Sequence, residues 1–124
     1  MIKLTFCLHR LASLSRVEFQ QYWRERHAPL VARHAATLRI RRYVQTHALP
    51  DDDTVNAGLR ASRGGPEGYD GVAELWWDSL DDLAAATASN EGRAASLALL
   101  EDERRFIDLA RSPLWLGNEH VVIG

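Results

Sequence analysis

Cysteine is almost missing from this sequence. Cys7 is the single one in 124 residues, so no disulfide can form within the chain and no cysteine-based zinc site exists. A basic surplus is missing too. The formal net charge is −2, and no run of like charge exceeds the three aspartates at 51–53, which leaves no footprint for nucleic acid. No apolar stretch approaches the roughly 18 residues of a membrane span. The glycines include no phosphate cradle: Gly64-Gly65-Pro66 is turn punctuation with no helix opening after it. That argues against a tightly held dinucleotide, while leaving open a diffusing flavin or a substrate that reacts directly with oxygen. A metal set of His9, His27, His47 and Glu74 can be drawn, but no motif such as HExxH supports it. Neither metal nor bound cofactor is therefore expected. The opening MIKLTFCLHR is too short and too alternating for a signal peptide, so a cytoplasmic location is the expectation. What is there is 46% hydrophobic residues, enough for one real core in a single domain over residues 1–124.

Residues Ile2 to His9 alternate as a strand does, with Ile2, Leu4, Phe6 and Leu8 on one side and Lys3, Thr5, Cys7 and His9 on the other. Ser15 and Glu18 form a capping box, which predicts a helix from about Arg16. Phe19, Trp23, His27, Leu30 and His34 share its apolar stripe, and Arg26 falls on the same stripe without explanation. Pro29 has no N–H for the ladder, so the helix is predicted to reach about Ala36 bent or broken there. A second strand covers Arg39 to Ala48. Leu49 to Tyr69 reads as a long loop, with at most a helical turn near Asn56 to Arg60. Asp70 to Asp78 is a third strand. Ser79 and Asp82 cap a helix to about Ala88, a break falls at Ser89-Asn90, and a second helix runs from about Glu91 to Ala110. Glu119 to Ile123 is the predicted closing strand. The order β-α-β-β-α-β is the split pattern of ferredoxin-like α+β folds with a four-stranded antiparallel sheet.

In that fold both helical layers cover one side of the sheet. The third strand nevertheless places Val72 and Trp76 on one face and Ala73, Leu75 and Trp77 on the other. A bare tryptophan face is costly, and a second copy of the sheet is the simplest cover. Alternation assigns Thr5, Cys7 and His9, then Tyr43, Gln45 and His47, then Val72, Glu74 and Trp76 to that open face. Aromatic walls with a few polar groups suit a ligand pocket better than a plain dimer core.

The segments MIKLTFCLHR, SRVEFQQYWRERHAPLV, RRYVQTHAL, YDGVAELWWDS and EDERRFIDLARS resemble, in this order, the EthD-like family of dimeric α+β barrel proteins. The resemblance implies a ferredoxin-like protomer that pairs with its twin. It does not select a reaction. Members occur beside ether degradation and aromatic polyketide pathways and often bear an oxidoreductase label. The wider superfamily includes cyclases, decarboxylases, isomerases and cofactor-free monooxygenases.

Individual residues carry paired readings. His27 is either a hydrogen-bonded core residue below Trp23 or, turned by the Pro29 bend, a group at the barrel mouth. His47 titrates in the right range for a general acid or base, or is a plain strand-end residue. Glu74 is a proton acceptor or the partner of Arg41 or Arg42, the pairing being favoured. Tyr22, Tyr43 and Trp76 can stack on an aromatic ligand, Gln45 can fix a carbonyl, and His9 joins them as a binding residue. Asp102 and Asp108 read as helix braces. Cys7 and His9 stand too far apart for a thiolate–imidazole pair. The expected protein is a homodimer that binds a small, largely apolar, aromatic or polyketide-like molecule. The expected chemistry is proton transfer by His27, His47 and Glu74 without a cofactor, leading to cyclisation, dehydration, decarboxylation or isomerisation. The alternatives are direct oxidation by oxygen, as in a monooxygenase, and a non-catalytic ligand-binding accessory protein. The Leu49 to Tyr69 loop reads as a lid or as a tolerated insertion.

Overall fold

The alternating segments form the sheet. In the computed structural model, which describes residues 1–124, β1 (Ile2–Leu8), β2 (Arg42–His47), β3 (Gly71–Trp77) and β4 (Leu114–Asn118) make one four-stranded sheet in the order β2-β3-β1-β4. Every pairing is antiparallel. Helices α1 (Arg16–Tyr22) and α2 (Ala28–His34) connect β1 to β2, α3 (Thr54–Arg63) lies between β2 and β3, and α4 (Leu80–Ala88) and α5 (Asn90–Glu103) connect β3 to β4. This is the ferredoxin-like arrangement. No helix is long and apolar enough to cross a membrane.

The caps explain where the helices start. Ser15 accepts from the Glu18 N–H at 3.1 Å while Glu18 accepts from the Ser15 N–H at 3.0 Å, which completes the box. Ser79 and Ser89 cap α4 and α5 through the N–H groups of Asp82 and Gly92. The region between β2 and β3 holds more structure than one turn. Asp53, the last of the acidic trio, caps α3 and Gly64 closes it in a left-handed conformation at φ 63°. Yet α3 buries none of its residues, and Val55 and Leu59 face solvent.

Pro29 does not break the first helix. Residues Trp23–His27 widen into a π-helical turn, in which the Ala28 N–H reaches back to the Trp23 carbonyl. The buried residues there are Phe19, Trp23, His27 and Val31, four apart throughout. On a straight α-helix, three such steps drift about 120° off one face. One residue absorbed by a π turn cancels most of that drift. The bulge thus keeps four side chains on the core and leaves Arg26 outside, exposed.

Two parts of the reading are corrected, the end of the chain and the faces of the second strand. The closing strand is Leu114–Asn118, not Glu119 to Ile123. Helix α5 ends at Glu103 instead of Ala110, because Phe106 and Ile107 leave the helix to enter the core, where they are almost fully buried. Ile107 bridges to Arg10 and the Asp108 N–H donates to the His9 carbonyl. The chain therefore reaches the sheet several residues early, and Val121, Val122 and Ile123 stay exposed. The second correction concerns faces. Gln45 pairs with Ala73, and Ala73 with Phe6; Tyr43 pairs with Leu75, and His47 with Gly71. Tyr43, Gln45 and His47 therefore lie on the helix-covered face, not the open one. Slipping the parity of a strand by one residue flips every side chain, and RYVQTH mixes polar and apolar groups on both parities, so alternation alone did not fix its phase.

The main core lies under the helices and contains Phe6, Leu8, Phe19, Trp23, Ala73, Phe106 and Ile107. Each large side chain removed from water there contributes about 2–3 kcal/mol. Gly71 is needed beneath it, since a Cβ would stand 2.5 Å from the Trp23 ring and 2.8 Å from the Thr46 carbonyl. On the open face Trp76 is less bare than its sequence suggests. The Arg42 guanidinium sits 4.8 Å above the ring, Lys3 lies over it, and its indole N–H donates to Glu119. Trp115 on the same face remains half exposed.

Candidate functional site

Helix α1, the π turn and the last turn of α5 together build a buried polar arrangement beside the core. His27 is 5% exposed. Its Nδ1 lies 2.7 Å from Asp102 Oδ2, and the Tyr22 hydroxyl donates to Asp102 Oδ1 at 2.5 Å. The Phe106 ring packs on His27 at 5.0 Å. Burial pulls the His27 pKa down, and Asp102 offsets only part of that pull. The ring is thus neutral near pH 7. A carboxylate accepting from Nδ1–H fixes the tautomer with a lone pair on Nε2. That nitrogen has no partner within the protein.

A cavity of about 50 Å³ lies between these helices and the sheet. His27, Tyr43 and Glu103 are its polar lining, and Phe6, Trp23 and Leu99 are among its apolar walls. Glu103 has no cation beside it. Burial, with Asp102 next to it, pushes its carboxyl up to about 7. One wall thus holds a neutral imidazole with a free lone pair, and another a carboxyl raised far enough to carry a proton near neutral pH. Groups split in this way can take a proton and give one at the same pH.

The remaining candidates divide by face. Gln45 and His47 share a strand face with Tyr43, which lines the cavity. Gln45 Nε2 donates to the Trp23 carbonyl at 3.0 Å and to the Tyr43 hydroxyl at 2.8 Å, and His47 Nε2 meets Gln45 Oε1 at 2.8 Å. The His47 ring stacks on Trp23 at 4.4 Å. Glu74 and Trp76 are on the other side of the sheet, in register with Thr5 and Lys3. Glu74 accepts from Lys3 at 2.7 Å, so its partner is a lysine on the neighbouring strand instead of Arg41 or Arg42. His9 packs against Tyr69 at a polar cleft with Arg10, Arg16 and Asp70. The fold therefore brings Tyr22, His27, Tyr43, Gln45 and His47 together and separates Glu74, Trp76 and His9 from them.

Sequence reasoning missed Glu103 and read Asp102 only as a brace. A signal for Glu103 existed. Ala95, Leu99 and Glu103 are four apart, the first two are buried, and a carboxylate on such a stripe lacks water and must find a partner or change its pKa. For Asp102 no signal existed, because its role depends on meeting Tyr22 and His27 from another helix.

Comparison with known proteins agrees with this architecture. Residues 11–110 match the family model described as the EthD domain. The structure is similar to an EthD family protein from Bacillus halodurans, with 19% identity, 97% of this chain and 99% of that one covered, and a TM-score of 0.64. It is similar to an EthD-like protein from Ralstonia eutropha, with 17% identity, coverage of 98% and 95%, and a TM-score of 0.61. A dimeric protein of unknown function and ferredoxin-like fold from Bacteroides fragilis aligns at 12% identity, covering 95% of each chain, with a TM-score of 0.59. No curated protein matches the sequence.

Proposed function

The chain belongs to the EthD family, and from that premise and the geometry around His27 we propose that it is a cofactor-independent acid–base enzyme acting on a small, largely apolar carbonyl compound. The observation that carries this reading is the pairing, across one apolar cavity, of an Asp102-held imidazole with a carboxyl raised to about 7. His27 Nε2 takes a proton from a carbon next to the carbonyl, and Glu103 gives one. Enolisation of this kind leads to isomerisation, cyclisation, dehydration or decarboxylation, according to what the rest of the substrate carries. At about 50 Å³ the cavity admits the reacting end of such a molecule, well short of the 300–1,000 Å³ that a whole drug-sized ligand fills. The bulk of an aromatic or polyketide-like substrate extends beyond it. A pocket with two convergent titratable groups favours an enzyme over a passive carrier.

The working unit we propose is a homodimer paired through the open sheet face. Val44, Val72 and the half-exposed Trp115 on that face support it, as does the dimeric relative with the same fold. The functional test is deuterium uptake at the α-carbon of aryl methyl ketones and β-diketones in D₂O, read by proton NMR. Exchange is expected to be accelerated, with a bell-shaped pH profile whose upper limb lies near 7, and to fall about 10²- to 10⁴-fold in His27→Gln. Oxygen uptake on phenolic substrates, without enol exchange, would replace this reading by direct oxidation.

A further inference from the structure

Resting on the acid–base reading of the His27 cavity, we propose that Tyr43 is a third reacting group there, the donor to a substrate oxygen, and that Gln45 and His47 are positioning residues that turn its hydroxyl proton into the cavity.

The direction of each hydrogen bond follows from groups that can only accept. The Trp23 carbonyl takes the Ala28 N–H in the π turn and has a second lone pair free. The Gln45 atom 3.0 Å from that carbonyl must therefore be the amide nitrogen. The same nitrogen lies 2.8 Å from the Tyr43 oxygen. Both amide hydrogens are then used, one on each partner. This leaves the amide oxygen facing His47 Nε2 at 2.8 Å, so that ring nitrogen carries the hydrogen. Burial, with Arg24 nearby, holds His47 below its usual pKa, so it is neutral at pH 7. A neutral ring with its hydrogen on Nε2 has a bare Nδ1. His47 Nδ1 is completely buried and has no hydrogen-bond partner.

Every donor in the series His47, Gln45, Tyr43 thus points the same way. Tyr43 receives a hydrogen from Gln45, so its own proton turns away from Gln45, and Tyr43 shares the cavity with His27 and Glu103. Burial pushes the Tyr43 phenol up, against the pull of Gln45 and Trp23, so it stays protonated and donates. Enolisation then has both halves. His27 Nε2 takes the carbon-bound proton, the C–H electron pair becomes the C–C π bond, and the charge moving onto oxygen meets the Tyr43 O–H. The enolate then either takes that proton back at carbon from His27, or is protonated at oxygen by Glu103, after which the His27 imidazolium gives its proton to water and the Glu103 carboxylate recovers one from water.

The orientation can be read without any substrate. The chain has five histidines and three tyrosines, few enough to resolve by long-range ¹H–¹⁵N NMR and by ¹³Cζ-tyrosine labelling. At pH 7 His47 is expected as the Nε2–H tautomer. In Gln45→Glu the new carboxylate only accepts, so Tyr43 turns its proton back and its Cζ signal shifts, while Tyr22 and Tyr69 stay in place. His47→Phe keeps the ring stacked on Trp23 but frees the Gln45 amide, and gives a smaller shift of the same signal. In the exchange assay Tyr43→Phe and Gln45→Glu each lower kcat about 10²-fold, with KM little changed. An Nδ1–H tautomer at His47, an unmoved Tyr43 signal in the folded variants, or full activity in Tyr43→Phe overturns the proposal. The expected spectra in a wild-type protein that never exchanges α-protons would uphold the orientation and overturn the acid–base reading instead.

Discussion

Glu74 and Glu103 stand on opposite sides of the same sheet. Glu74, on the open face, meets Lys3 at 2.7 Å. Glu103, on the covered face, has apolar walls and Asp102 for neighbours, and its carboxyl rises to about 7. The tryptophans divide in the same way. Trp76 is roofed by the long side chains of Lys3 and Arg42, whereas Trp23 is sealed between Phe19, His47 and the sheet. Charge on the open face is neutralised by a partner within reach of water. Charge on the covered face has to be withheld, because burial disfavours the ionised form. A group that withholds its charge near neutral pH is available for proton transfer, and a paired one is not.

The largest way to break this contrast is through packing. Trp23→Ala should cost about 3–5 kcal/mol of stability, and Trp115→Ala on the open face less than about 1 kcal/mol in the isolated protomer. Denaturant melts of the two variants check the ratio. Trp115→Ala should instead weaken the dimer, read as a lower apparent mass in sedimentation equilibrium at micromolar concentration. A wild-type protein that sediments at the 14.0 kDa chain mass would remove the proposed barrel.

The next effect is electrostatic. The Glu103 pKa is raised from 4.5 to about 7 in the folded state, so the native state holds more protons than the unfolded state between those values. Stability from this group is full below about 4.5 and is lost as pH rises towards 7. Glu103→Gln should therefore gain up to about 3 kcal/mol at pH 8 and almost nothing at pH 4. His27 has the opposite slope. Its pKa is lowered, so its burial as a neutral ring costs stability as pH falls below the unfolded value of 6.5. Urea melts of Glu103→Gln and His27→Gln from pH 4 to 8 should give diverging curves, and parallel curves would show that neither group is perturbed. Glu74→Gln should change stability by about 0–1 kcal/mol, an effect reduced by salt.

A smaller effect sharpens the site itself. Tyr22→Phe removes one of two donors to Asp102 and should cost about 0.5–1.5 kcal/mol, with His27 still held at Nδ1. Gly71→Ala should cost about 1–3 kcal/mol through overpacking against Trp23 and the Thr46 carbonyl. Its melting point should fall while the histidine tautomers stay unchanged.

How much was legible in the residues depends on the range of the interaction. Ser15 with Glu18, Ser79 and Ser89 announced their helices because a cap is settled within three residues. The alternation of Ile2 to Leu8 announced both the strand and its covered face, because one parity is wholly apolar. RYVQTH announced a strand without a face, and the site residues Tyr43, Gln45 and His47 were assigned to the wrong side as a result. Pro29 announced an irregular helix but not its form. A break and a π turn both relieve the missing N–H, and only packing of Phe19, Trp23, His27 and Val31 on one surface favours the turn.

By itself, then, the sequence determined the ferredoxin-like order of elements, the caps and the residue types available for chemistry, since periodicity and local hydrogen bonds carry that information. The tertiary structure decided which of those residues meet. Asp102 is seventy-five positions from His27, and Lys3 is seventy-one from Glu74. Whether a carboxylate orients an imidazole or pairs with a lysine depends on strand register and helix phase, and one residue of slip in either exchanges the two outcomes.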